Sequence, residues 1–382
     1  MKKLMRFLSY VLVAALASAV TFGMTYREEE PYKLRELQDL IETCFIGEAD
    51  PTAMEDMAAM GMISALGDRW SYYIPAAEYD SHMEQVNNAY VGVGITIRAA
   101  DDGSGFLILQ VEENGPAAEA GIQPGDVLIG VNGQSAAGMT MDETGVLVKG
   151  AEGTTVDLTV RRGEGEITFT VERRQVLIVV AKGEMLEDGI GLVTIRNFDA
   201  RCYDETIAAI EELLAQGVEK LIFDVRNNPG GYKSELVKVL DYLLPEGPLF
   251  RSETYSGKTE VDESDAACLD IPMAVLVNSE SYSAAEFFAA ALEEYDAAVT
   301  VGQQTSGKGY FQVTTELSDG SAVALSMGKY TTPNGVSLAE VGGLTPQVEV
   351  EVDDETFAAI YAGTLAPEED PQLRAAIEAL KK

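Results

Sequence analysis

Residues 273–295 read MAVLVNSESYSAAEFFAAALEEY. Met273–Val277 is an apolar run of strand length. The polar stretch Asn278-Ser279-Glu280-Ser281-Tyr282 turns the chain, and Ser283–Tyr295 reads as a helix. The same alternation extends on both sides. Ile190–Ile195 reads as a strand. Asp204–Gln216 reads as a helix with Ile207, Ile210, Leu213 and Leu214 on one face. Lys220–Val225 is a strand, Ser234–Leu244 a helix and Val299–Gly302 a strand. Tyr310–Leu317 and Ser321–Met327 flank Ser318-Asp319-Gly320, a hairpin signal. Alternating strands and helices from about Gly189 to Val352 predict an α/β core, mixed with α+β features: a sheet with covering helices.

Upstream the texture changes. From about Tyr90 to Val176, short β-rich runs alternate with glycine turns: Val91–Ile97, Phe106–Val111, Val127–Val131, Thr155–Val160 and Ile167–Val171. Between them lies GPAAEAGIQPGDVLIGVNG (115–133). Residues 31–88 read as helical, with Leu34, Leu37, Leu40 and Ile41, then Met54, Met57, Met60 and Ile63, at helical spacing. Such a methionine stripe is expected to serve core or helix packing rather than ligand binding. The predicted segments are therefore 1–26, 27–88 (helical), 89–176 (β-rich), 177–352 (α/β) and 353–382 (an acidic, helical tail).

Lys2, Lys3 and Arg6 precede an 18-residue apolar run, Phe7–Met24. A basic start before such a run is an export signal with its basic end held inside. The length suits an uncleaved single-pass anchor, and Ala17 and Ala19 leave removal, and hence secretion, open. Either way the bulk of the chain is expected outside the cytoplasm.

The 382 residues carry 27 Lys plus Arg against 63 Asp plus Glu, a net charge of −36, which argues against nucleic-acid partners. At 46% hydrophobic and 24% charged residues the chain is globular in composition. The lone histidine, His82, removes His-rich metal sites and leaves little room for a Ser-His-Asp triad. Cys44, Cys202 and Cys268 have no metal-type spacing and read as three free or buried thiols. No metal or other cofactor is expected.

Three segments bear chemistry. Ser283 falls at a helix start, where unpaired amides and the positive dipole end favour an alkoxide and an oxyanion. Taken alone, three serines there read as helix caps. In TSGKGYFQ (305–312), Lys308 sits between two glycines at a strand entrance. Lys308 and Gln312 are four apart and share a face in an extended chain. A lysine deprived of water can act as a general base, and a glutamine amide can orient it without adding charge. Alone, this segment reads as a solvated loop. In DVRNNPGG (224–231), two glycines let backbone amides approach a ligand, as an oxyanion hole requires, though the same residues make an ordinary turn. Each segment follows a strand, where α/β sheets build their sites.

In their order and spacing, DVRNNPGG, NSESYSAAE and TSGKGYFQ resemble the signatures of the C-terminal processing peptidases, also called tail-specific proteases. AYVGVGI and GPAAEAGIQPGDVLIGVNG resemble the PDZ domain of those enzymes. LGDRWSYYI and KYTTPNGVSLAEVGGLTPQVEVEV resemble further family segments, so the likeness spans about residues 60–352. It implies a ClpP/crotonase-like catalytic core with an inserted PDZ domain, and a serine endopeptidase using a Ser-Lys dyad. Ser283 is then the nucleophile, Lys308 the general base and Gln312 its positioner, with the Gly231 and Ala284 amides as oxyanion hole. Gly92, Val93, Gly94 and Ile95 would hold the carboxylate of an apolar C-terminal tail. A homodimer and a regulatory partner are compatible with the likeness, but no residue here derives them. Tyr282, Ala285, Ser306 and Arg69-Trp70 depart from the family pattern without removing a catalytic group. The alternative is a catalytically silent, PDZ-bearing peptide-binding protein on the same scaffold.

Overall fold

The computed structural model of the chain describes residues 33–112 and 114–381. The expected export or anchor segment, 1–26, lies outside them. Among the described residues no helix is long and apolar enough to cross a membrane.

The chain divides after Tyr73 into two compact units. The first contains α1 (Lys33–Cys44) and α2 (Pro51–Ser64). Asp50 caps α2, accepting from the Thr52 and Ala53 amides, and Pro51 occupies the first turn, where its missing N–H costs nothing. The methionine stripe expected to pack is instead largely at the surface: neither helix has a buried residue, and Met57 is 66% exposed.

The second unit opens with α3 (Ala76–Val86), which carries His82. Its β-rich part is entered by β1 (Ala89–Gly92) and left by β8 (Arg174–Leu177), an antiparallel pair running from Ala89 opposite Leu177 to Gly92 opposite Arg174. The predicted strand Val91–Ile97 is therefore two strands, β1 and β2 (Ile95–Ala99), divided at Gly94, whose φ is +78°. A sheet follows in the order β2, β3 (Phe106–Val111), β4 (Val127–Val131), β6 (Thr155–Arg162), β7 (Gly165–Glu172), with β5 (Gln134–Ser135) paired to β4. Two helices, α4 (Pro116–Ala120) and α5 (Met141–Val148), accompany it. Val93, Phe106, Ile108, Leu128, Leu158 and Val160 form its own core.

The remainder is built on a sheet ordered β9 (Ala181–Met185), β10 (Ile190–Ile195), β11 (Lys220–Asp224), β14 (Met273–Val277), β15 (Ala298–Gly302), β18 (Val348–Glu349). All neighbours are parallel except β9 with β10. Successive residues of β14 alternate between two cores. Val275 and Val277 face α6 (Cys202–Ala215), α7 (Lys233–Leu243) and α8 (Ala284–Glu294). Ala274 and Leu276 face Leu373 and Ala376 of α11 (Pro371–Ala379). Burial on both faces explains why Met273–Val277 contains no polar residue. After α8's N-cap, every residue from Ala284 to Leu292 is buried. Phe288 meets Phe198 and Phe223 on the sheet side, while Phe287 meets Phe250 and Tyr330. Each fully buried phenylalanine contributes about 2–3 kcal/mol, so this helix is a firm base for what precedes it.

Phe250 and Tyr330 belong to a second, antiparallel sheet, in which β13 (Thr259–Ser264), β12 (Gly247–Thr254), β17 (Ala322–Thr331) and β16 (Tyr310–Glu316) lie in that order. The hairpin β12–β13 was not legible in the alternation pattern, because β13 is polar and largely exposed and β12 buries only the adjacent pair Leu249 and Phe250. The chain closes with α9 (Leu338–Val341), α10 (Asp354–Ala362) and α11. β11, β14 and β15 are adjacent and parallel, so the loops at their carboxyl ends stand side by side.

Candidate active site

Those three loops carry the predicted residues. Ser283 has φ 59° and ψ −123°, a conformation non-glycine residues avoid, and α8 begins at the next residue. The turn before it is held from both sides. Ser281 is fully buried, donates to the Val225 carbonyl at 2.7 Å and accepts from the Asn278 amide at 3.0 Å. Its hydroxyl is a structural peg. Tyr282 N–H donates to the Asn228 carbonyl at 3.2 Å, and Ser306 N–H to the Ser281 carbonyl at 3.2 Å.

The glycine loop passes directly over the serine. A Cβ on Gly230 (φ +91°) would stand 2.7 Å from Ser283 Cβ and 2.8 Å from the Ala284 nitrogen, so only glycine fits. Gly231 (φ +150°) is bridged to Phe198 through Phe198 N–H to the Gly230 carbonyl (2.7 Å) and Tyr232 N–H to the Phe198 carbonyl (2.8 Å). This pattern leaves the Gly231 N–H pointing away from the bridge. Among the described residues neither it nor the Ala284 N–H has an acceptor. Asn228, fully buried, fixes the loop by donating to the Ile195 carbonyl and accepting from the Gly230 amide, each at 2.8 Å.

Lys308 arrives on the third loop, half-buried. Its flanking glycines answer to close packing. A Cβ on Gly309 would lie 2.7 Å from that of Ala339, and Gly307 (φ +77°) rests against Gly342 and Gly343. Its carbonyl accepts the hydroxyl of Tyr330 at 2.7 Å. Tyr330 is fully enclosed beside Ser283 and Glu286, and burial holds its phenol well above the usual range. Gln312 lies on β16 and donates to the Tyr310 carbonyl (3.1 Å) and to Ser326 Oγ (2.9 Å), its partner across the ladder. Strand alternation does not reach Lys308, since β16 starts at Tyr310.

Glu286 ties these parts together. One carboxylate oxygen accepts the Ser283 N–H at 3.0 Å and the Lys308 N–H at 2.6 Å. The other accepts the Gly307 N–H at 2.9 Å and Thr305 Oγ1 at 2.7 Å. Burial raises its pKa, and these hydrogen bonds oppose the rise. Among the described residues no group of three or more His, Cys, Asp or Glu could hold a metal ion.

In the β-rich part, Val93 is buried and its carbonyl accepts from Ala117 N–H at 2.8 Å. The Gly94 carbonyl accepts from Glu112 N–H at 2.9 Å. The Val93 and Gly94 N–H groups have no acceptor among the described residues. Gly92 ends β1, and Ile95 opens β2, which is the edge of its sheet.

The profile of peptidase family S41 matches residues 189–350, and a PDZ domain profile matches 107–162. The carboxy-terminal processing protease CtpA of Bacillus subtilis is 31% identical over 368 residues, covering 92% of this chain and 78% of that protein. The chain belongs to peptidase family S41. A probable CtpA-like serine protease of Staphylococcus haemolyticus is 30% identical over 89% of this chain and 70% of its own. A putative S41 protease structure from Bacteroides fragilis shares the fold, with a TM-score of 0.56 and 17% identity over 87% of this chain and 90% of that one. The protein is thus an S41 serine protease with a PDZ domain, of mixed α/β architecture.

The structure also places beside Ser283, Lys308 and the glycine loop residues to which the sequence reading gave no role. Glu286 stands three after Ser283, the spacing of a capping box, and that spacing was the available signal. Asn278 and Tyr330 stand in the quoted segments NSESYSAAE and KYTTPNGVSLAEVGGLTPQVEVEV, but only packing brings their side chains to the site.

Proposed function

We propose that the chain is a serine endopeptidase in which Ser283 attacks the scissile carbonyl and Lys308 is the general base. In this reading the Lys308 amine takes the Ser283 proton as Oγ bonds to the carbonyl carbon. The oxyanion forms against the Gly231 and Ala284 N–H groups. The ammonium then protonates the departing amine, and water hydrolyses the acyl-enzyme with the amine again as base. Gln312 holds the amine: its NH₂ is committed to Ser326 and Tyr310, which leaves its carbonyl oxygen to accept. The observation that carries the reading is the pair of acceptor-free amides, Gly231 and Ala284, beside a serine in a strained turn. The test is cleavage of an unfolded protein by the full chain beside Ser283→Ala and Lys308→Ala, both expected to be inactive. Full activity of Ser283→Ala would refute the assignment.

We also infer that the PDZ domain captures the C-terminal tails of protein substrates, the carboxylate on the Val93 and Gly94 amides and the peptide along the β2 edge. An apolar last residue suits the apolar surroundings of Val93 and Ile95. The domain's two connections meet at Arg201, whose guanidinium donates to the carbonyls of Asn87, Asn88 and Ile178 and to Glu205. Asn88 exchanges amide hydrogen bonds with Asn197, next to the Phe198 that bridges Gly231. This continuity supports gating of the cleft by tail binding. Normal cleavage of tailed substrates after deletion of residues 90–175 would count against it. The basic and apolar start of the sequence supports export and membrane attachment, which fractionation of cells expressing the full chain would test.

A further inference from the structure

The loop that carries Gly231 is fastened at its entrance by a buried charge cluster. Arg226 and its two carboxylate partners, Asp224 and Asp370, are nearly enclosed, at 6%, 15% and 6% side-chain exposure. The Arg226 guanidinium grips Asp224 with two hydrogen bonds, Nε to Oδ1 at 2.9 Å and Nη2 to Oδ2 at 2.6 Å, and the Arg226 backbone N–H donates to Oδ1 at 3.0 Å. Its remaining nitrogen, Nη1, reaches Asp370 Oδ2 at 2.8 Å and Gln372 Oε1 at 3.1 Å. Both acceptors belong to the start of α11. Asp370 divides its labour: Oδ1 caps that helix by accepting the Gln372 and Leu373 amides at 2.9 and 3.0 Å, while the other oxygen faces the arginine. Gln372 is tied onward to the Val350 carbonyl at 2.9 Å. Leu373, Ala376 and Leu380 seat α11 against Ile222, Ala274 and Leu276 of the sheet.

Downstream of Arg226 the loop has little freedom. Asn227 takes φ +58° and is paired to Asn278 through its amide N–H (3.0 Å) and its side-chain oxygen (2.8 Å). Asn228 fixes Gly230, and Gly231 follows. The position of the Gly231 N–H therefore depends on a cation whose third and fourth contacts come from the C-terminal helix.

We propose that Asp370 is a positioning residue for the oxyanion loop. The C-terminal helix holds Arg226 from below, and Arg226 holds the segment that presents Gly231. The proposal rests on the assignment of Gly231 to the oxyanion hole. A buried arginine left with one carboxylate re-pairs or draws in water, and either response shifts the loop. Displacements of about 1 Å in such machinery cost on the order of 100-fold in rate.

The experiment measures steady-state kinetics and peptidyl boronic acid affinity for the full chain carrying Asp370→Asn. The expected result is a kcat reduced by at least about tenfold with KM within about twofold, and boronate affinity weakened by a factor similar to that in kcat. Leu373→Ala on the same helix is the control. It leaves every contact of Arg226 in place, so it should lower Tm through a cavity while keeping kcat below the melting range. If Asp370→Asn fails to fold, Gln372→Leu takes its place, with a smaller kcat loss of about threefold and again no change in KM. Wild-type kcat and boronate affinity in the foldable variant would overturn the proposal. So would a kcat loss in Leu373→Ala equal to that in Asp370→Asn or Gln372→Leu, which would make the effect one of general stability. Failure of the dyad reading itself appears separately, as activity surviving in Ser283→Ala.

Discussion

Ser283 and Lys308 donate their backbone N–H groups to the same oxygen of Glu286, at 3.0 and 2.6 Å. The residues are 25 apart in sequence. They belong to loops after two different strands, yet a single atom sets the distance between their main chains. A carboxylate suits this place because it accepts at both oxygens and donates at neither.

Glu286→Gln therefore separates charge from shape. One face of the amide still accepts from Ser283 and Lys308, but its NH₂ opposes the Gly307 N–H that the second oxygen now accepts. We expect kcat to fall by about 10–100-fold, with a stability loss of about 1–3 kcal/mol for the buried mismatch. Chemical denaturation and kinetics on one preparation check both.

The two serines of the turn should respond differently. Ser283→Gly removes the side chain from a φ of 59° and is expected to raise stability by about 1 kcal/mol while abolishing cleavage. Ser281→Ala deletes a buried hydroxyl with bonds to Val225 and Asn278, and should cost about 1–3 kcal/mol. Melting curves would show opposite shifts, and a destabilised Ser283→Gly would mean that the turn is not strained.

Asp199 supplies a pH dependence. Burial pushes its carboxyl up to about 7, against about 3.9 in an unfolded chain. The folded protein therefore holds the proton over that window and the unfolded chain does not. This contribution to stability is fully present below about pH 3.9, declines as pH rises and is gone above about 7. Asp199→Asn should be more stable than wild type at pH 8, with a smaller difference at pH 4.5. Urea titrations at the two pH values test this, and equal differences would refute it.

The PDZ reading yields a binding test. Gly94 has φ +78°, and an added Cβ would lie 3.3 Å from Glu112 Cβ. Gly94→Ala should raise the Kd for a peptide with a free, apolar C-terminus by about tenfold. Binding of the same peptide with an amidated end should already be weak and change little. Fluorescence anisotropy distinguishes the two cases.

Local chemistry accounts for much of what was legible. The strands Ile190–Ile195, Phe106–Val111, Val127–Val131 and Met273–Val277 occur with the predicted bounds, because apolar runs closed by Gly, Pro or Asn leave little choice of ends. The helices shift by at most two residues at either end, as fraying ends do. Ser283, the glycine loop and Lys308 were visible as unusual residue types following strands. Their meeting was not: it follows from β11, β14 and β15 lying adjacent and parallel, a long-range choice that no local spacing encodes.

Sequence alone settled which segments turn, which strands must be buried and which side chains carry usable chemistry, since those are properties of a residue and its near neighbours. Tertiary structure decided that Ser281 is a peg while Ser283 stands in the strained turn. It decided that Glu286 links two loops, that Tyr330 closes over the Lys308 carbonyl, and that the polar start of the last helix pairs with Arg226. Each is a contact between distant positions, chosen because a buried donor, acceptor or charge must find its partner wherever packing brings one within reach.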